Sequence, residues 1–311
     1  MEICMKKILT FALCFIVAIF AVGCTFTPAV NLEMDSTQPW TIATDYEKCV
    51  YKVTKLDSKG IVLGEGSMTI IAQEDATHTK TTVTSSYEFT PTDTLTPLPD
   101  TITSSSTFLT SSCVALSSEK TVTLKSNPDL NYRFVADYEN RKVDFYMKDS
   151  VEITKTLSVP SSEIVSYDNE SLYYLTRAFN PEKKNDGNFL LTNLYDCYDL
   201  GKISSYSVYF RASNDYVTTD DFTASSKTDA WANLTANAQI VDSKVDCHHV
   251  KINRNRSNMS GAPVEMWLTK APFKGGNTRV MIKMRTTVLT IPDAHVDYTM
   301  EYDLVSYSLV P

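Results

Sequence analysis

Apolar and polar side chains alternate with a period of two along most of the chain. That spacing sends successive side chains to opposite faces of a β-strand. Cys49, Tyr51 and Val53 share one face of such a run, and after the turn-like Ser58-Lys59-Gly60 so do Met68, Ile70 and Ala72. Val83, Tyr87 and Phe89 repeat the pattern, as do Val143, Phe145 and Met147. Further along come Tyr206, Val208 and Phe210, then Val250 and Ile252, and Val280, Ile282 and Met284. The last run sets Val296, Tyr298, Met300, Tyr302 and Leu304 against Asp297, Thr299, Glu301 and Asp303. One-sided strands of this kind imply antiparallel pairing, with one face on a core and the other in water. The helical period surfaces in two places. Leu172, Leu175 and Phe179 predict a helix over 169–179, with Asn169 as its N-cap and Asn180-Pro181 as its stop. A weaker pattern covers 228–237, around Trp231 and Leu234. Loops are expected at 90–101, where Pro91, Pro97 and Pro99 cluster, at 181–188 and at 254–263. Strands and helices do not alternate, which argues against a doubly wound α/β fold.

The amino terminus follows a different rule. Lys6 and Lys7 precede an apolar run from Ile8 to Val22 that is broken only by Thr10. The run falls short of the ~20 apolar residues that a membrane-spanning helix needs, and it suits the h-region of a signal peptide. Ala21-Val22-Gly23-Cys24 closes it. These residues resemble the bacterial lipobox, with Ala21 where leucine is commoner; the bland alternative is an ordinary signal peptide cut near Ala18, or an uncleaved anchor. Cys24 is therefore the expected lipidation site. The expected division is a signal peptide over 1–23, a tether over 24–39 and one curved β domain over 40–311. Two acyl chains on Cys24 would give a stable anchor where one would not.

Composition narrows the function classes. A net charge of −8 over 311 residues argues against nucleic acid, whose phosphates call for a basic surface, and against a polybasic membrane face. Beyond the lipid site stand Cys49, Cys113, Cys197 and Cys247, with no C-x-x-C pair. Their pairing, if any, stays open. Outside the cytoplasmic membrane a disulfide is permitted, while a cysteine inside a strand commonly behaves as a small buried hydrophobe.

Several segments in order carry a family likeness. They are Tyr167-Asp168-Asn169-Glu170-Ser171-Leu172-Tyr173-Tyr174-Leu175-Thr176-Arg177, then Gly201-Lys202-Ile203 through Phe210, Asp246 to Ile252, Glu265-Met266-Trp267-Leu268-Thr269, and Arg279 to Met284. The order resembles an uncharacterised family of exported bacterial proteins related to the lipoprotein-localisation factors (LolA/LolB-like). The resemblance implies a mostly β fold: a strongly curved antiparallel sheet, or incomplete β-barrel, with one or two short helices on the concave side. It also implies an apolar or acyl ligand on that side and no catalytic residue.

Candidate chemistry is sparse. No G-x-S-x-G, H-E-x-x-H or phosphate loop occurs. His248 and His249 are strand neighbours and face apart, which disfavours a shared metal, and Cys247 could reach only His249. Asp215, Asp220 and Asp221 read as a solvated loop. Arg177, late in the helix, suits the negative dipole end; its alternative role is a charged rim for a ligand head group. Tyr51, Phe145, Met147, Phe210, Trp267, Met284 and Tyr298 are the expected lining of the concave face. The expectation is a non-catalytic, membrane-anchored extracytoplasmic lipoprotein that binds an apolar or lipid-like ligand, with no metal and no cofactor. The alternative is a structural or interaction lipoprotein of the cell envelope with a filled core. The lipid bilayer, reached through Cys24, is the expected partner, and no protein partner can be named.

Overall fold

A computed structural model describes residues 46–91, 100–158, 166–180, 185–190, 203–210, 215–218, 240, 242–254, 264–270, 279–288 and 298–310. The signal peptide, Cys24, the tether, Cys197, Asp220, Asp221 and the helix expected over 228–237 lie outside these residues.

The first half of the sheet is a meander: β1 (Tyr46–Leu56), β2 (Val62–Glu74), β3 (Lys80–Pro91), β4 (Thr101–Leu109), β5 (Ala115–Thr123), β6 (Tyr132–Asp137), β7 (Lys142–Met147) and β8 (Lys155–Ser158). Then come β9 (Ser166–Asp168), α1 (Asn169–Leu175), β10 (Asn185–Leu190), β11 (Ile203–Phe210) and β12 (Asp215–Thr218). The chain ends with β13 (Lys244–Arg254), β14 (Val264–Thr269), β15 (Met281–Val288) and β16 (Tyr298–Val310). The spatial order is β8-β7-β6-β5-β4-β3-β2-β1-β16-β15-β14-β13-β11-β10-β9, with β12 on β13. The expected architecture is present: a mostly β protein built on one antiparallel sheet that does not close into a barrel, with a short helix packed on it.

The departures are local. β9 and β10 pair in parallel, against the antiparallel expectation. β10 starts at Asn185, inside a segment expected to be loop. Asp168, not Asn169, is the N-cap of α1. The helix stops at Leu175 and tightens into a 3-10 turn over Thr176–Ala178.

Alternation becomes rows across the sheet. Met147, Tyr132, Val122, Ile102, Tyr87, Met68, Tyr51 and Leu304 are successive cross-strand partners from β7 to β16. A second row links Val53, Tyr302, Met284, Met266, Val250 and Phe210. Apart from Phe210, which is placed by its backbone register alone, both rows lie on the inner face. There, buried side chains of β1–β4 and β13–β16 join those of α1 in one apolar cluster, and β5–β7 supply a second around Phe134 and Phe145. Gly66 faces Phe89 within this packing, and a Cβ there would meet the Glu88 carbonyl at 2.1 Å.

α1 lies against β3 and β4. Beneath it the inner positions are small: Ser85, Ser104, Ser106 and Ser118 are buried. Leu172, Tyr174, Leu175 and Phe179 fill the space above. Small hydroxyl side chains bring the helix close to the sheet, and their oxygens pair with one another, as Ser106 and Ser118 do at 2.9 Å.

The opposite face was expected to meet water. At β14–β16 it does not: Asp303, Lys283 and Glu301 are buried. Lys283 reaches Asp303 at 3.2 Å and Glu301 at 3.5 Å, and Arg285 reaches Glu301 at 2.6 Å. Opposite charges set directly across antiparallel strands allow these groups to leave water together.

Candidate functional site

Most of the expected concave-face residues do share one face. Tyr51, Phe145, Met284 and Tyr298 are almost wholly buried at inner positions, and Met147 is half-buried beside the second cluster. Phe210 is placed by its backbone register opposite Val250, in the same row as Met284; its side chain lies outside what is described. Trp267 is the exception. Its neighbour Met266 pairs with Met284, so Trp267 itself pairs with Lys283 and faces the other way. It stacks on His249, with ring centroids 4.6 Å apart, and its indole N–H donates to Asp215 Oδ2 at 3.3 Å.

The inner face carries charge as well as apolar surface. The Tyr51 hydroxyl donates to the Met281 carbonyl at 2.9 Å, bridging from β1 to β15. Burial, with smaller contributions from Cys49 and Glu47, holds that phenol well above its ordinary value. The Lys55 ammonium, fully buried, sits 3.9 Å from the centre of the Tyr298 ring, a cation–π contact.

Arg177 does not sit at an open rim. It is buried and pairs through both terminal nitrogens with Glu47 on β1, the Nη2–Oε2 contact being 3.3 Å. Burial opposes its charge, but the Glu47 carboxylate, Tyr174 and Cys49 together hold it above its ordinary value. Arg279, just before β15, donates to the carbonyls of Arg177 and Phe179 at 3.0 Å each. The turn after α1 is thus clasped from two strands.

At the other end of α1, Lys120 on β5 contacts Glu170, and also Asp168 at 3.5 Å. Lys120 and Asp168 have no exposed side-chain surface, and Glu170 has 9%. Burial first, and then the Asp168 charge, push the Glu170 carboxyl up to about 8, against the pull of Lys120. Sequence reasoning missed Lys120, Glu47 and Glu170 as interior groups. A signal existed: Lys120 falls between Ser118 and Val122 in an alternating run whose other positions turn inward.

The Cys247–His249 possibility resolves differently. The Cys247 thiol donates to the Val245 carbonyl at 3.3 Å, and burial raises its pKa, as it does for Cys49 and Cys113. A raised thiol is a poor nucleophile. All three stand outside any disulfide. His249 instead meets Asp215 through Nδ1 at 2.9 Å. Among the described residues no three His, Cys, Asp or Glu side chains converge as a metal site requires. No helix among them is long and apolar enough to cross a membrane.

Fold and site together define a protein with a single curved, open antiparallel sheet whose inner face is packed by its own side chains and one short helix. No protein-family model and no curated protein matches the chain. Solved structures do resemble it. A β-barrel-like protein of domain of unknown function DUF1849 from Brucella abortus shares 14% identity over 86% of this chain and 99% of its own, with a TM-score of 0.48. A candidate lipoprotein from Parabacteroides distasonis shares 8% identity over 87% and 97%, with a TM-score of 0.26. A DUF1329 family protein from Desulfovibrio piger shares 10% over 84% of each chain, with a TM-score of 0.20. A β-barrel-like protein and a candidate lipoprotein thus stand among its structural neighbours, and none of the three is described as a lipoprotein-localisation factor.

Proposed function

We propose that the chain is a non-catalytic lipoprotein of the cell envelope, anchored through Cys24 to the outer side of the cytoplasmic membrane, that acts as a structural or interaction protein with a filled core. One observation carries the choice between this reading and a stored apolar ligand. Tyr51, Phe145, Met284 and Tyr298, four of the seven residues of the expected lining, expose 1%, 2% or none of their surface. A cavity able to hold an acyl chain would leave its walls measurably exposed to it. The basic start, apolar run and lipobox-like Ala21-Val22-Gly23-Cys24 support the anchor. The buried, raised thiol of Cys247 and the absence of a nucleophile motif support the non-catalytic part.

The lipoprotein-localisation-factor likeness favours the second reading, an acyl or other apolar ligand on the inner face. Its structural support is the unbroken row of Tyr, Met and aliphatic side chains from β7 to β16. Such a ligand would have to displace α1.

Two measurements separate these outcomes. Cells expressing the full chain and fed radiolabelled palmitate should label the wild type, while Cys24→Ser should lose the label and appear in the soluble fraction. Equal labelling of both would remove the anchor. Native mass spectrometry of a soluble form, purified without detergent, should show apo protein that ignores a fluorescent fatty acid. Stoichiometric co-purifying lipid would reinstate the second reading.

A further inference from the structure

The outer face at β15 and β16 brings three reactive groups into one dry place. Lys283 and Asp303 face each other directly across the strand pair, and Arg285 and Glu301 do the same one step along. The side chain of Lys283 exposes 2% of its surface, that of Asp303 none and that of Glu301 10%. Lys283 Nζ lies 3.2 Å from Asp303 Oδ1 and 3.5 Å from Glu301 Oε2. Arg285 holds the other oxygen of that glutamate, with Nε at 2.9 Å and Nη2 at 2.6 Å from Oε1. The grip aims Oε2 at the lysine. Lys52, opposite Asp303 on β1, reaches Glu65 at 2.7 Å.

An ion pair gains little from such burial, because taking both charges out of water costs about as much as their attraction returns. The same groups also have a chemical use. Amide formation needs an amine, a carboxyl group in contact with it, and a second carboxylate that can carry protons between them. Strand pairing holds all three in place, so no encounter has to be arranged. Burial favours the neutral forms of both reactants and withholds the water that would reverse the reaction.

We propose that Lys283 and Asp303 are a self-crosslinking pair, which the folded chain joins by an isopeptide bond with Glu301 as the proton relay. The ammonium passes one proton through Glu301 to the Asp303 carboxylate, leaving an amine beside a carboxylic acid. Nζ then attacks Cγ, and the Nζ–Cγ bond forms. Nζ gives a second proton through Glu301 to the departing hydroxyl, the Cγ–O bond breaks, and water leaves. The three hydrogens of the ammonium end as one on the amide and two in the water, and nothing is oxidised or reduced. The product is a covalent rung between β15 and β16, joining residues 20 apart in sequence. It is independent of how the chain is anchored and of whether the inner face is filled.

Denaturing mass spectrometry of the full chain tests the bond. Relative to a Lys283→Arg variant, and corrected for the substitution, the wild type should be lighter by one water molecule. In its tryptic digest Lys283 should stay uncut, and peptide 280–285 should remain joined to the peptide that carries Asp303. Glu301→Gln keeps the shape of the side chain and removes the relay. In an isotope pulse–chase read from the same digest, it should link about a hundredfold more slowly than wild type. A wild type of full mass with Lys283 cleaved, or a Glu301→Gln chain that links as fast as wild type, would overturn the proposal. Should either variant not fold, the wild-type digest decides alone: the branched peptide supports the bond, and separate peptides defeat it.

Discussion

At the scale of single residues, the interior is defined as much by paired charges as by apolar bulk. Glu47 and Arg177 are both buried, 130 residues apart in sequence, and meet through two contacts. Removing one partner of a buried pair strands the other, at a cost of about 3–5 kcal/mol, whereas replacing both with apolar groups can be neutral. Arg177→Met should therefore lower unfolding stability by that amount, and Glu47→Leu/Arg177→Met together by much less. Urea denaturation of the single and double variants measures the difference, and strictly additive losses would deny the coupling. Such residues are also where the sequence was least legible. A lysine or glutamate in a strand reads as the wet side, so Glu47 was invisible until its partner was placed, and Lys120 was marked only by its being in step with Val122. Tyr51, Met284 and Tyr298 were legible because period-two alternation names a face without knowledge of the partner strand. Trp267 was not. Glu265-Met266-Trp267-Leu268-Thr269 is buried from Met266 to Thr269 on both faces, and a register shift follows Trp267, so no alternation was left to read.

At the scale of elements, α1 shows how little helix propensity decides. Seven residues are too few to hold a helix in water, so its stability comes from packing. Leu175 has no exposed surface. Leu175→Ala should cost about 2–5 kcal/mol, the range for a buried leucine, if the protein unfolds as one unit. If instead α1 detaches alone, global stability should barely change while exchange over 166–180 rises to the unprotected rate. Either result locates the boundary of the cooperative unit, and hydrogen exchange beside calorimetry distinguishes them. The helix itself was legible from Leu172, Leu175 and Phe179. β4 and β5 were not, because TITSSSTFL and ALSSEKTVT carry serine at inner positions where a strand pattern calls for bulk. The serines are there to admit the helix, a reason that belongs to tertiary packing and leaves no periodic trace. β10 was mistaken for loop because Asn185, Asp186 and Gly187 are turn-forming residues, here drawn into an antiparallel pair with β11.

At the scale of the whole molecule, the two apolar clusters divide the sheet unequally. The larger takes in β1–β4, α1 and β13–β16, so the first and last described strands share it; the smaller belongs to β5–β7, which are neighbours in sequence. The β1–β16 pairing joins the first and last described strands, and with them the larger cluster, into one body. Cys49 on β1, Cys113 in the β4–β5 turn and Cys247 on β13 all lie in that larger cluster, buried and with raised pKa values. None lies in the smaller one. If the larger cluster is one cooperative body, the three thiols should become reactive together. Pulse alkylation with iodoacetamide across a urea series, read peptide by peptide, should give three superimposable curves that also match the loss of far-ultraviolet circular dichroism. Cys247 labelling well before Cys49 would mean that β13–β16 open independently, and the long β1–β16 pairing would then be a seam between two folding units instead of the spine of one.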